Sequence, residues 1–336
     1  MTSVAVCGNG FVGGSLTTVL TERGVTVYAY DKAGVYKPGA SECVPETQAE
    51  AEAKFPCITS SAKIVPGLRF PRSIEELVVN AEKQPGFSGI FFVCLPTPMN
   101  LEDGSCDTSI VEGVLDELAS VPGGRIAVIK STVPPGSTER WNERFNGRGL
   151  FIVHSPEFLR EASALDDQRN QKFIILGGPR PHINKVRDLF RIAFPTVPIH
   201  KTSSSNSEMM KYFINTFLAT KVSFANEFLQ ICEGLAGKQG LDVDYDRIVE
   251  LATLDERIGT SHLKVPGPMP ADDGTGRLLR GYAGSCFVKD INSLVNIARS
   301  VDVDPKVLES AWKKNEEVRP EKDWLRLLGR AVSKKS

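Results

Sequence analysis

One short turn near the start of the chain, Gly8-Asn9-Gly10-Phe11-Val12-Gly13, limits the possible folds more than any other feature. It follows a β-branched run at residues 4–7 and opens a helical pattern over 12–23. Glycines at this spacing permit a tight strand-to-helix turn, close approach of a pyrophosphate, and close packing of helix on strand. The first amides of the helix then face the phosphate charge. Asp31 falls about twenty residues on, at the end of the second expected strand, where a carboxylate bonds both hydroxyls of an adenine ribose. That acid repels a 2′-phosphate, so NAD is expected rather than NADP; the neighbouring Lys32 and Lys37 argue the other way. The plain alternative is a glycine-rich turn without a ligand.

The first half alternates strand-like runs at 4–7, 26–30, 90–95, 125–130, 151–154 and 172–176 with helical patterns at 12–23, 74–83, 110–120 and 183–194. Such alternation predicts a mostly parallel, doubly wound sheet with helices on both faces. Residues 32–71 read as loop with one helix over 46–54. From 205 to 238 there is no proline, and apolar residues recur at helical spacing. A helix of that length runs roughly 50 Å and normally needs cover on more than one side, so a second copy of the chain packed along it is expected. Further helices are expected at 245–254, 286–300, 305–315 and 321–332. The fold class is therefore α/β: a Rossmann-like sheet over 1–203, an all-α domain with a long central helix over 204–320, and a C-terminal helix with a basic tail over 321–336.

Charge balance removes several function classes. Forty Lys and Arg against 41 Asp and Glu give a net charge of −1, which points to neither nucleic acid nor a membrane surface. No apolar run approaches a membrane span. A strand beginning at Ser3 leaves no room for a signal peptide, and seven cysteines without a CxxC pair or zinc spacing read as reduced thiols. A cytoplasmic protein with no bound metal is expected.

The residues that carry chemistry lie further along. Cys286 follows Gly281-Tyr282-Ala283-Gly284-Ser285, a small-residue run that lets backbone approach a ligand. A helix starting near Cys286 would favour its thiolate, the nucleophilic form, and Asp290 falls one turn later on the same face. A buried structural thiol is the competing reading. Lys211 and Asn215 share a face of the long helix with apolar Leu218 and Val222, so both need partners or a ligand. A cation beside an amide donor suits an oxyanion; a snorkelling lysine or a salt bridge to Glu208 are the alternatives. Glu157 and Glu161 are four apart and would repel on an exposed helix unless water, a ligand or Arg160 separates them. One of them could act as a general base, or both could form a solvated acidic face. Thr97 and Thr132 sit in proline-rich loops where strands end, at the usual ligand edge of such sheets.

Six motifs in order carry a family resemblance: Gly8-x-Gly10-x-x-Gly13, Ser131-Thr132-Val133-Pro134-Pro135-Gly136, Ser155-Pro156-Glu157-Phe158-Leu159-Arg160-Glu161, Lys211-x-x-x-Asn215, Asp255-Glu256-Arg257-Ile258-Gly259 and Gly284-Ser285-Cys286-Phe287-x-Lys289-Asp290. The chain resembles the nucleotide-sugar 6-dehydrogenases, the group containing UDP-glucose and GDP-mannose dehydrogenases. The resemblance implies a two-step, four-electron oxidation of a sugar C6 alcohol to the carboxylate with NAD, UDP-glucose being the default substrate. It implies that Cys286 forms a thiohemiacetal and then a thioester, and that Lys211 and Asn215 hold the oxyanion. Asp290 and Thr132 would position a water, and Glu161 would support hydrolysis. Glu157, Phe158, Leu159, Arg160, Tyr282 and Gly284 would line the sugar site, Arg257 would reach a neighbouring subunit, and Thr97, Glu161 and Lys289 would lie near the cofactor.

This chain departs from the family pattern at Val288, where proline is usual, at Ala283, where glycine is usual, and in an enlarged loop at 264–280. The residues after Asp290 are too few for the second α/β domain of full-length relatives, so a short form is expected. Two other readings stand beside the first. One is a β-hydroxyacid-type dehydrogenase that transfers a single hydride without a cysteine, and the other a dimer that binds NAD or a nucleotide sugar without turnover.

Overall fold

The computed structural model describes residues 2–31, 73–268 and 275–333. Lys32, the expected helix at 46–54 and the basic tail lie outside them. The chain divides into two compact units, Met1–Pro96 with Thr108–Lys211, and Thr97–Asp107 with Tyr212–Ser336.

The first unit runs β1 (Ser3–Cys7), α1 (Phe11–Glu22), β2 (Thr26–Tyr30), α2 (Ile74–Glu82), β3 (Phe87–Val93), α3 (Ser109–Ser120), β4 (Arg125–Ile129), α4 (Ser137–Phe145), β5 (Leu150–His154), α5 (Ala164–Arg169), β6 (Ile174–Gly177), α6 (Arg180–Ala193) and β7 (Ile199–Thr202). Its sheet has the order β2-β1-β3-β4-β5-β6-β7. Every neighbouring pair is parallel except β5 with β6. Side chains alternate across each strand. Ala5 and Cys7 enter one core with Leu77, Leu115 and Trp141, whereas Val4 and Val6 enter the opposite core with Leu16, Ile183 and Phe190. Helices thus cover both faces, and the sheet is the doubly wound, Rossmann-like one expected.

Local signals explain most boundaries. Ser73 caps α2 by accepting from the Glu76 amide, with Glu75 and Glu76 in the first turn. Arg125 opens β4 with its guanidinium buried, donating to the carbonyls of Leu118, Val121 and Pro122 and to Glu82. It closes the C-terminal end of α3, where backbone carbonyls lack helical partners.

α7 (Ser204–Gln239) is 36 residues long, about 54 Å at 1.5 Å per residue. Gly177 lets its start abut the sheet: a Cβ there would meet the Ser207 Cβ at 2.5 Å and the Ser203 carbonyl at 2.8 Å. The second unit continues with α8 (Tyr245–Ala252), α9 (Phe287–Ser300) and α10 (Lys306–Val318). Its main core joins Ala219, Tyr282, Val288, Ile291, Trp324 and Val332. The helix expected over 321–332 does not form: a single 3-10 turn spans Asp323–Arg326. Gly329 then turns to a φ of 75°, and the chain bonds to Met99 through the Ala331 carbonyl and the Ser333 amide. Among the described residues no helix is long and apolar enough to cross a membrane.

Candidate active site

The glycine turn is built by backbone packing. Gly8 has a φ of 89°, and a Cβ there would lie 2.4 Å from the Cys94 carbonyl oxygen. A Cβ on Gly13 would lie 1.9 Å from the Gly8 carbonyl oxygen. Neither position accepts a side chain without moving β1 from β3 or α1 from the turn. Gly10 caps α1 without a side-chain bond, and the first turn of α1 holds no acidic residue, so the amide end stays available to an anion. The Asp31 carboxylate reaches the turn and accepts from the Asn9 amide at 2.7 Å. The Asn9 side chain is buried, and neither its Oδ1 nor its Nδ2 has a partner among the described residues. A glycine cradle, an anion-ready helix end and an orphaned buried amide fit a dinucleotide.

A buried group of ionisable residues lies at the ends of β4 and β5. Lys211 Nζ donates to the Glu157 carbonyl at 2.5 Å and lies 3.5 Å from Glu157 Oε1. It also sits 5.3 Å from the centre of the Phe158 ring. Glu157 Oε2 accepts from the Leu159 amide at 2.6 Å. Lys211 therefore pairs with Glu157 and not with Glu208. Glu208 instead accepts from the Gly136 amide, the Thr138 amide and the Thr138 hydroxyl at 2.7–2.9 Å, and burial raises its carboxyl above the ordinary range. In return Glu139 of α4 accepts from the Ser204 and Ser205 hydroxyls at the start of α7. Each helix sends a carboxylate to the other's N-terminus, which fixes the loop carrying buried Thr132.

Glu157 and Glu161 do not share a helix face. Residues 155–160 are irregular, Glu157 is buried, and exposed Glu161 opens the 3-10 turn Glu161–Ser163. The proline at 156 disfavours a helix here. Arg160 separates neither acid: its guanidinium grips Asp167 at 2.6 and 3.0 Å, and Asp167 also accepts the Arg160 amide and the Ser163 hydroxyl. The Arg160 hydrogen bond leads the causes that hold Asp167 down at about 2.

In the second unit Cys286 is the N-cap of α9, and Asp290 stands one turn on, its amide bonded to the Cys286 carbonyl. Cys286 is half-buried, with Sγ 3.9 Å from the Ser285 hydroxyl. Buried Asp290 is shared: Asn215 Nδ2 donates to Oδ2 and Lys289 Nζ to Oδ1, each at 2.5 Å. Burial pulls the Lys289 ammonium down, but Asp290, Cys106 and Cys286 outweigh it and hold the group above its ordinary value. Thr97 is buried, and its carbonyl accepts from the Cys106 thiol. Exposed Arg257 is folded back onto Asp255. None of the five described cysteines forms a disulfide.

The loop into Cys286 hangs from α10 through residues that sequence reasoning missed. Asn315 accepts the Tyr282 amide at 2.7 Å and donates to the Tyr282 carbonyl at 3.0 Å. Arg319 donates to the Arg280 carbonyl and pairs with Asp323. Gly281 and Gly284 adopt φ of 68° and 75°, while Ala283 stays outside the left-handed region, so a methyl replaces the usual glycine without strain. The one available signal for Asn315 was an amide on the otherwise apolar face of a helix.

Comparison with known proteins agrees with this geometry. Residues 72–193 match the NAD binding domain of the UDP-glucose/GDP-mannose dehydrogenase family, and residues 205–317 match its central domain. The chain is 30% identical over 332 residues to the UDP-glucose 6-dehydrogenase YwqF of Bacillus subtilis, covering 93% of this chain and 66% of that protein. It is 30% identical to TuaD, a UDP-glucose 6-dehydrogenase of the same organism, covering 95% and 64%. The chain thus spans slightly less than two thirds of these relatives. A solved UDP-glucose dehydrogenase from Pyrobaculum islandicum superposes with a TM-score of 0.70 at 29% identity, covering 94% of this chain and 68% of the other. The chain belongs to the UDP-glucose/GDP-mannose dehydrogenase family, with NAD as its cofactor.

Proposed function

We propose that this chain oxidises the C6 alcohol of a nucleotide sugar, UDP-glucose by default, to the uronic acid through a covalent bond to Cys286. The observation that carries this reading is Cys286 at the cap of α9 with Asp290 one turn on, its carboxylate accepting from Asn215 and Lys289. Bound NAD supplies the hydride acceptor for each of the two oxidations. The Cys286 thiolate adds to the C6 aldehyde carbon, giving a thiohemiacetal. Loss of hydride and a proton leaves a thioester, and water cleaves its C–S bond to release carboxylate and regenerate the thiol. Lys211 and Asn215 donate to the oxygen that becomes anionic. Each already holds an acceptor, so the substrate oxygen takes a further N–H of the same groups. Asp290 and Thr132 position the water, and Glu161 takes its proton. Glu157, Phe158, Leu159, Arg160, Tyr282 and Gly284 line the sugar, with Lys289 behind Asp290.

Phe213, Phe217, Phe224 and Ile231 of α7 are 68, 60, 61 and 51% exposed. An apolar stripe of this kind supports a homodimer along α7, with Arg257 reaching the partner's site. The reduced thiols and the NAD requirement suit the cytoplasm.

Counting NADH tests the reading. Two NADH per sugar consumed are expected, and none of the uronic acid from Cys286→Ala. One NADH per substrate without thiol sensitivity would favour a β-hydroxyacid-type reaction. NAD binding with no sugar oxidised would favour a binding protein.

A further inference from the structure

The buried cluster of the first unit contains a charge that the proposed chemistry leaves without work. Lys130 follows β4, is 7% exposed, and its Nζ lies 3.4 Å from the Pro156 carbonyl oxygen. Lys211 Nζ, from α7, lies on the next carbonyl, that of Glu157. Two ammonium groups from two elements therefore grip successive carbonyls of one irregular segment. Among the described residues that single long hydrogen bond is a small return for burying an ammonium.

The groups that face Lys130 are Cys94 after β3, His154 at the end of β5, Glu157 and Lys211. Burial pushes the Cys94 thiol up to about 12. Burial, with Lys130 and Lys211, draws His154 down to about 3. Both are neutral near pH 7, so among these groups Glu157 alone offers negative charge to two lysines. The cluster is one positive charge in excess while both are protonated.

We propose that Lys130 is a positioning residue for the dehydrogenase reaction, its charge setting how Lys211 is shared between Glu157 and the substrate oxygen. This inference rests on the functional reading above. A protonated Lys130 draws on the field of Glu157 and releases Lys211 towards the oxyanion. A neutral Lys130 leaves Lys211 as the only cation on Glu157 and holds it there. Burial, opposed by Cys94 and Glu157, brings Lys130 to about 8. The protonated form is the active one, so kcat falls as pH rises through this range.

The sign for stability is opposite. A lysine lowered in the folded state burdens the fold fully below about pH 8, and the burden lifts as pH rises towards its ordinary value of 10.5. A lysine kept for its packing would give the reverse result on removal.

Lys130→Met and Lys130→Arg test the proposal against wild type. Lys130→Met is expected to lower kcat about tenfold at pH 7, with less effect on KM, to lose the alkaline limb near pH 8, and to melt no lower than wild type. Lys130→Arg keeps the charge, so it is expected to recover activity and carry it past pH 9. A second readout needs no turnover: with 13C-labelled lysine, the resonance absent from Lys130→Met is expected to titrate near 8, and lower in Glu157→Gln. Should nucleotide-sugar oxidation itself be refuted, that titration still reports the cluster. A wild-type pH profile and kcat in Lys130→Met, or a Lys130 resonance titrating near 10.5, would overturn the proposal.

Discussion

Each compact unit buries a small set of charges, and the two sets are composed differently. In the second unit Asp290 faces one ammonium, Lys289, and one amide, Asn215, so charge is matched and the lysine is held above its ordinary value. In the first unit Glu157 faces Lys211 and Lys130, so charge is unmatched, and burial, which Glu157 and Cys94 do not offset, draws Lys130 down to about 8. Both lysines are nearly inaccessible to water, at 8 and 7%. Burial alone therefore does not decide the direction; the count of opposite charges does. A matched set is a fixture, whereas an unmatched one responds to pH and to any anion that arrives.

The largest expected effect breaks the matched set. Asp290→Asn leaves Lys289 buried without a counter-charge and should cost about 3–5 kcal/mol of stability. Denaturant melts at pH 7 measure it, beside the neutral or stabilising effect of Lys130→Met. Next is Glu208→Ala, which unpairs the Gly136 amide and the Thr138 amide and hydroxyl; a loss of about 2–3 kcal/mol is expected. A KM for NAD that rises in the surviving fold would show that the Thr132 loop depends on this clamp. The smallest effect is Ala283→Gly, which restores the usual family residue and should cost under about 1 kcal/mol, because the alanine backbone is unstrained.

The same contrast explains what was legible in the sequence. The glycine turn and α7 were readable almost to the residue, because each is set by a local repeat: three glycines, or 34 residues without proline. Cys286 at a helix start and Asp290 one turn later followed from spacing alone. β7 was missed because its side chains are partly exposed and polar, His200 and Lys201 giving no apolar signal. α4 was missed because Pro134-Pro135-Gly136 hides a helix capped from elsewhere in the chain by Glu208. The helix expected over 321–332 failed because Gly329 and the pairing with Met99 override a local periodicity. The partners of Lys130, Glu208 and Asn315 were invisible for one reason: they lie 26, 70 and 33 residues away. Long-range pairing with backbone groups leaves no local pattern.

The covalent role of Cys286 is the claim on which the rest turns. Rapid acid quench of enzyme with NAD and UDP-glucose, followed by mass measurement of the Cys286 peptide, tests it most directly. The expected result is a sugar-nucleotide acyl adduct on that peptide during turnover, absent when NAD is omitted and decaying as uronic acid appears. Full conversion to uronic acid by Cys286→Ala, or turnover with the Cys286 peptide unmodified at every time point, would contradict it.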